Sequence, residues 1–415
     1  MARGTTLSRG NLSRRSLREW ALRSALAVTT LAAGYVSVTR TQALTIRGAN
    51  IASAVSLAPG DGRITALAAA ALAGPDATLR DRAEADRLAR RALRQDPTAV
   101  LAASTLGLNA QVRGDTAAAR RIFAYAEALS RRNLPTQLWA IEDSVGRRDI
   151  PGALYHYDTA LRSSASAATL LFPVLGSAIT EPPVRSALVA TLARRPRWSD
   201  LFVEHVAANG TDPLATVQLF RQLRRAGVPI AGISQSLLIN TLAARGAFDA
   251  AWSYYELIRP GANRRTSRDP DFTADIKVPA VFDWVPVNGD GLSATVQRVG
   301  NGGLVDFSAP ATVGGMLLSQ TQVLPAGTYK LSGRSAGIEQ APGAQPYWAL
   351  TCADGRELGR VIIGNSALAG GAFAGALDVP AECPVQVLAL VARPSDAVGG
   401  LSGQIERIKL DPIVR

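Results

Sequence analysis

The 415-residue sequence predicts a multidomain α-then-β chain: an N-terminal membrane helix, an α-solenoid of helical hairpins and a C-terminal antiparallel β-sandwich. Three observations carry that prediction. Asp81, Asp115 and Asp149 recur every 34 residues, and Ala85, Ala119, Ala153 and Ala92, Ala126, Ala160 keep the same step. The run from Ser24 to Thr39 holds no charge. After Pro260 the Ala-, Leu- and Arg-rich chain gives way to short β-branched and aromatic runs cut by Gly and Pro. A 34-residue period is the length of a helix-turn-helix unit, and such units stack because none can bury its apolar face alone.

At the N-terminus, Arg3, Arg9, Arg14, Arg15, Arg18 and Arg23 make residues 1–23 a basic arm, expected to stay in the cytoplasm while residues 24–40 cross the inner membrane once. The domains that follow are then periplasmic. Sixteen uncharged residues fall short of the roughly 20 a span needs, but Trp20, Ala21 and Leu22 lengthen it if Arg23 snorkels. Two other readings stay open. One is a cleaved secretory peptide, whose best small-x-small site, Thr41-Gln42-Ala43, follows Arg40; the other is an amphipathic or buried soluble helix. Ser13–Arg18 also resembles a twin-arginine export signal, yet no cofactor motif accompanies it.

The helical domain is expected over 41–260, where apolar residues recur at helical spacing and breaks fall at Gly or Pro, among them Pro173, Pro182-Pro183, Pro196, Pro213 and Pro229. Small residues such as Gly107, Ala119 and Ala126 suit the closest approach of two helices, and Phe123 fills the gap they leave. In the order Leu106, Gly107, Gly114, Ala119, Phe123, Ala126, the segment 100–131 resembles the tetratricopeptide repeat family. It departs from the family pattern at Ala103 and Ala110, where aromatics are usual, and at Arg131, where a proline is expected. Ala153, Tyr157 and Ala160 continue the pattern, and Leu237–Ile258 holds a later unit. The resemblance, over about 76–260, implies a scaffold for protein partners and brings no catalytic residues.

Residues 261–271 are polar and basic, as in a linker, and the β-domain is expected over 272–415. Nine strand-like runs are legible there: 281–287, 294–299, 304–308, 316–323, 328–334, 347–351, 372–379, 385–391 and 403–410. The aromatic opening Phe282-Asp283-Trp284, the turn Leu324–Gly327 and a last strand that returns to the domain start resemble the jelly-roll fold of many carbohydrate-binding modules. That resemblance implies a glycan site built on Trp284, Tyr347 and Trp348, with Arg334 close by, because sugar sites stack rings on exposed aromatics and hydrogen-bond hydroxyls. Against it stands the expectation that a lone tryptophan in a strand faces the core. Cys352 and Cys383, each beside a strand, suggest a disulfide in an oxidising compartment; the alternative is two buried thiols.

Composition narrows the function classes. With 47% hydrophobic and 19% charged residues the chain can bury sizeable cores. The net charge of +12 divides as +6 over 1–40, +7 over 41–260 and −1 beyond, with lysine only at 277, 330 and 409. No aromatic-basic interleaving or reading motif accompanies it, so nucleic acid is not expected as a partner. His156 and His205 have no metal-ligand spacing, and no nucleophile elbow, phosphate loop or dinucleotide fingerprint occurs. Neither metal nor cofactor nor enzymatic activity is expected. The sequence therefore reads as a non-enzymatic, membrane-anchored scaffold of the bacterial-type cell envelope, binding proteins through its repeats and glycan through its sandwich, in polysaccharide synthesis or export. The alternatives are a purely structural adaptor and a glycan-processing enzyme.

Overall fold

The computed structural model describes residues 17–300, 302–395 and 398–413. Most of the basic arm, including Arg3, Arg9, Arg14 and Arg15, lies outside the described residues. Among those described, fourteen α-helices are followed by two antiparallel five-stranded sheets. The chain divides into two compact units, one ending at Ala167 and one beginning at Ala168.

The first unit opens with α1 (Leu17–Ile46), 30 residues long where the sequence marks only 24–40. Its outer surface is apolar and exposed, from Trp20 and Leu22 through Leu31 and Tyr35 to Val38. Residues 19–46 are long and apolar enough to cross a membrane. Its threonines leave no hydroxyl unsatisfied: Thr29, Thr30, Thr39 and Thr41 each donate to the carbonyl four residues back, and Thr45 to that three back.

Seven shorter helices follow: α2 (Ile51–Leu57), α3 (Gly62–Ala71), α4 (Leu79–Gln95), α5 (Val100–Val112), α6 (Thr116–Leu129), α7 (Leu134–Gly146) and α8 (Ile150–Ser163). The pairs α5/α6 and α7/α8 repeat with a 34-residue offset at every boundary. Asp115 and Asp149 cap α6 and α8, accepting from the backbone of Ala118 and Gly152 at 2.9 and 3.0 Å. Asp81 has a different post: Thr78 caps α4, and Asp81 closes the capping box as its third residue. The alanine echo is a packing echo, since Ala85, Ala92, Ala119, Ala126 and Ala160 are fully buried and Ala153 nearly so. Adjacent pairs are also tied by polar contacts. Buried Asn109 donates to Asp86 at 2.8 Å, and Arg113 reaches the same carboxylate at 3.0 Å.

The second unit contains α9 (Ala167–Ala178), α10 (Pro182–Leu192), α11 (Ser199–Asn209), α12 (Pro213–Arg225), α13 (Gly232–Ala244), α14 (Phe248–Ile258) and the sandwich. Pro182 and Pro213 open helices, where their missing N–H costs nothing. Pro173, expected at a break, lies inside α9. Burial of Ala167, Leu171, Phe172 and Leu175 holds that helix together despite the lost hydrogen bond.

The strands are β1 (Val285–Pro286), β2 (Ser293–Val299), β3 (Gly302–Ala309), β4 (Gly315–Gln322), β5 (Gly327–Ala336), β6 (Tyr347–Cys352), β7 (Glu357–Ile362), β8 (Ala372–Val379), β9 (Gln386–Ala392) and β10 (Leu401–Pro412). One sheet runs β1-β4-β9-β6-β7 and the other β2-β3-β10-β5-β8. Hairpins join β2 to β3 and β6 to β7, and the other connections cross between the sheets, so the layers form a jelly-roll sandwich rather than a barrel. Phe307, Leu331, Trp348, Leu350, Leu390 and Ile405 fill the core between them.

Residues 261–271, read from sequence as a linker, carry Arg268 into the interior. Burial pulls its pKa down to about 10, against the fields of Tyr255 and Asp283, so it stays charged. Its guanidinium donates to the carbonyls of Phe282 and Thr321 and to the Gln322 side chain. Trp252 and Phe282 lie under it, 5.4 and 5.9 Å from its centre. Tyr255 of α14 donates to Asp283 at 2.7 Å, and Ser236 of α13 donates to the Val278 carbonyl at 2.8 Å. The last helix pair and the sandwich thus share a built joint.

Candidate functional site

In the helical unit, the residues expected to pack the repeats divide between interior and turn. Gly107 lies so close to Phe123 that a Cβ there would stand 2.8 Å from its ring. Phe123 in turn stacks on Trp139 with centroids 4.4 Å apart. Ala119, Ala126, Ala153, Tyr157 and Ala160 are buried, and half-buried Leu106 joins the cluster of Ala66, Ala92 and Ala102. Gly114 is the exception. It is exposed, with φ of +81° and nothing within 4 Å of a Cβ, so it shapes the α5–α6 turn and seats no helix. Thirty-four residues on, Arg148 takes the same left-handed conformation at φ 59°.

These interior residues leave binding to the exposed side chains. A groove of about 640 Å³ is lined by Arg131 and Arg132 before α7 and by Tyr155, Asp158, Thr159 and Arg162 of α8. Tyr155 is 48% exposed, and Arg162 is held to Asp158 at 2.8 Å. At the other end of α7, burial alone raises the pKa of Asp143, but hydrogen bonds from Arg120 and Arg147 outweigh that and hold the carboxyl below 3.8. The arrangement suits an acidic or hydrogen-bonding peptide segment and supplies no nucleophile-base pair.

In the sandwich, Trp284 and Trp348 are core residues, which corrects their candidacy as ring platforms. They face each other at 5.6 Å, Trp348 is fully buried, and the Trp284 indole donates to the Asp269 carbonyl. Tyr347, one residue from Trp348, points the opposite way because successive side chains on a strand alternate. It stands half-buried on the outer face with Arg360 and Arg393 against its ring at 4.8 and 4.7 Å. Register places Met316, Val391, Tyr347 and Ile362 side by side across four strands of that face. Sequence reasoning missed Arg393, although it follows Val391 by two and continues the same face.

Exposed Arg334 lines a second groove, of about 710 Å³, with Glu339, Asn365, Ser366 and Glu406. The structure does not bring Arg334 together with either tryptophan in that groove. Cys352 and Cys383 are joined in a disulfide with Cα atoms 5.7 Å apart, fastening the end of β6 to the segment before β9. Among the described residues, no cluster of three or more His, Cys, Asp or Glu is placed to hold a metal ion. His156 bonds Gln137 at 2.8 Å, and His205 lies against the Phe172 ring.

No family model and no curated protein matches the sequence. Among solved structures, the chain is similar to the enzymatically active domain of tailspike protein 4 of bacteriophage CBA120, at 14% identity and a TM-score of 0.22, over 31% of this chain and 19% of that one. It is also similar to a glycosylation associated protein complex from Streptococcus agalactiae, at 13% identity and a TM-score of 0.20, over 29% and 40%. The chain spans less than half the length of each. At those scores neither likeness bears on fold or function.

Proposed function

We propose that this protein is a non-enzymatic scaffold of a bacterial-type cell envelope, anchored in the inner membrane by α1 with the basic arm in the cytoplasm and the rest in the periplasm. The helix pairs hold a protein partner, through a tetratricopeptide-like surface that includes the Arg131–Arg162 groove. The sandwich touches glycan, in the manner of a carbohydrate-binding module, and the assembly serves polysaccharide synthesis or export. The observation that carries this reading is α1, a 30-residue helix exposed and apolar on its surface, with six arginines in residues 1–23, four ahead of the helix and two in its first two turns, that resist translocation. The disulfide Cys352–Cys383 supports an oxidising compartment for the C-terminal part.

Protease added to spheroplasts tests the topology. The C-terminal part is expected to be digested while a cytoplasmic control survives; protection of residues 47–415 alongside cleavage of an outer-face control overturns the anchored reading. One observation favours a second reading, in which the sandwich is purely structural: both candidate tryptophans are buried. Glycan-array binding by the full chain, compared with Tyr347→Ala and Arg334→Ala variants, separates the two. Turnover of a bound glycan would instead admit a glycan-processing enzyme, with Glu339 and Glu406 of the Arg334 groove as the carboxylates to replace.

A further inference from the structure

The end of α1 is fused to the helical unit without a linker. Ala43 is fully buried, with Thr39 and Ile46 half-buried on the same side of the helix. Ala54, Ala58 and Ile64, from α2, the turn after it and α3, form one apolar cluster with Ala43. That contact lies about 4.5 Å along the axis from Arg40, where the uncharged run ends. The turn between α2 and α3 therefore sits at the level where the apolar surface gives way.

Basic side chains gather at that level. Arg40 and Arg47 are exposed and make no ion pair among the described residues. Arg63 is 74% exposed and 3.3 Å from Asp96, and Arg91 donates to the Pro59 carbonyl at 2.9 Å. Asp61, which accepts from the backbone of Arg63 and Ile64 as the cap of α3, and Asp96 offset two of these four charges. The excess is cationic, beside an apolar helix whose N-terminal two thirds no described residue covers.

Resting on the reading of α1 as a membrane anchor, we propose that the α2–α3 turn with Arg40, Arg47, Arg63 and Arg91 docks on anionic phospholipid headgroups and fixes the tilt of the helical unit on the membrane. Each arginine near an anionic surface is worth about fivefold in the docked-to-undocked ratio, and the attraction is screened by salt.

The probe is a fluorophore on Gly60→Cys in the full chain. Gly60 is exposed, a Cβ there meets nothing within 4 Å, and the native cysteines are joined to each other. In nanodiscs of phosphatidylglycerol, headgroup nitroxide lipids should quench it strongly, and high salt, phosphatidylcholine discs or Arg63→Gln with Arg91→Gln should relieve the quenching. A probe on exposed Ala117→Cys of α6 gives the undocked reference. Quenching equal in both lipids, or no greater than at position 117, overturns the proposal. An alkaline carbonate wash separates the two claims: release of the protein from native membranes defeats the anchor, whereas retention with an unquenched probe at position 60 defeats the docking alone.

Discussion

Gly107→Ala sets two effects of opposite sign against each other. Inside an exposed helix, alanine is favoured over glycine by about 1 kcal/mol. Here the new Cβ would stand 2.8, 2.9 and 3.0 Å from three atoms of the Phe123 ring. That ring has nowhere to go, being 2% exposed and stacked on Trp139, whose indole is itself tied to Gln111 at 3.2 Å. Overpacking of this kind costs roughly 1–3 kcal/mol. Subtracting the propensity gain leaves a net loss of about 1 kcal/mol. Hydrogen exchange of the full chain, read on peptides from α5 and α6, should then quicken about fivefold. Gly146→Ala is the control, because nothing lies within 4 Å of a Cβ there, and exchange in α7 should hold steady or slow. In a Phe123→Leu background the sign at 107 should reverse. Slower exchange in Gly107→Ala with Phe123 intact would refute the close approach of α5 and α6.

The order of α then β elements was legible because helices and strands leave different periods in sequence, and in the helical part those periods coincide with the caps. Asp115 and Asp149 announce α6 and α8 since an N-cap carboxylate and a buried alanine four residues on are both local requirements. Where tertiary context decides, the pattern misled. Pro173 sits inside α9 because four buried apolar side chains outweigh one hydrogen bond. Arg148 occupies a left-handed turn position that glycine marks at residue 114. Strand β7 was invisible, since Glu357, Gly359 and Arg360 give an edge strand little apolar alternation.

The candidate site was less legible, for a reason that Trp348 and Tyr347 make plain. Adjacent residues on one strand differ by 180° in direction, so an aromatic pair names a strand but not which ring meets solvent. Only the register across β9 and β7, which puts Val391 and Ile362 beside Tyr347, separates the outer row from the core row of Leu390, Trp348 and Val361. Arg268 was hidden for the opposite reason. A basic, polar stretch reads as solvated, and its burial depends on Trp252 and Gln322, 16 and 54 residues away in sequence.

Further expectations follow from the joint, the disulfide and the histidine. Arg268→Met leaves the Phe282 and Thr321 carbonyls and the Gln322 side-chain oxygen without their buried donor, so urea unfolding of the second unit should lose about 3–5 kcal/mol; an unchanged midpoint would refute the joint. Reduction of Cys352–Cys383 should cost about 2–4 kcal/mol, and thiol labelling of denatured, unreduced protein should find no free cysteine. Two labelled cysteines would remove the bridge. For His156, burial depresses the pKa below 6.5, while Glu127 and Asp149 pull it partly back. The unfolded chain then gains its proton at higher pH than the folded one, so the folded state keeps its full advantage above the unfolded pKa and loses it as pH falls. Asp81, Asp96 and Asp143, all held below 3.8, lose their contribution only in a lower window. Exchange of α8 amides, corrected for the intrinsic pH dependence, should therefore quicken between about pH 7 and pH 5 in the native chain and stay level in His156→Gln, whose amide can still meet Gln137. The same acid sensitivity in both proteins would place the titrating group elsewhere.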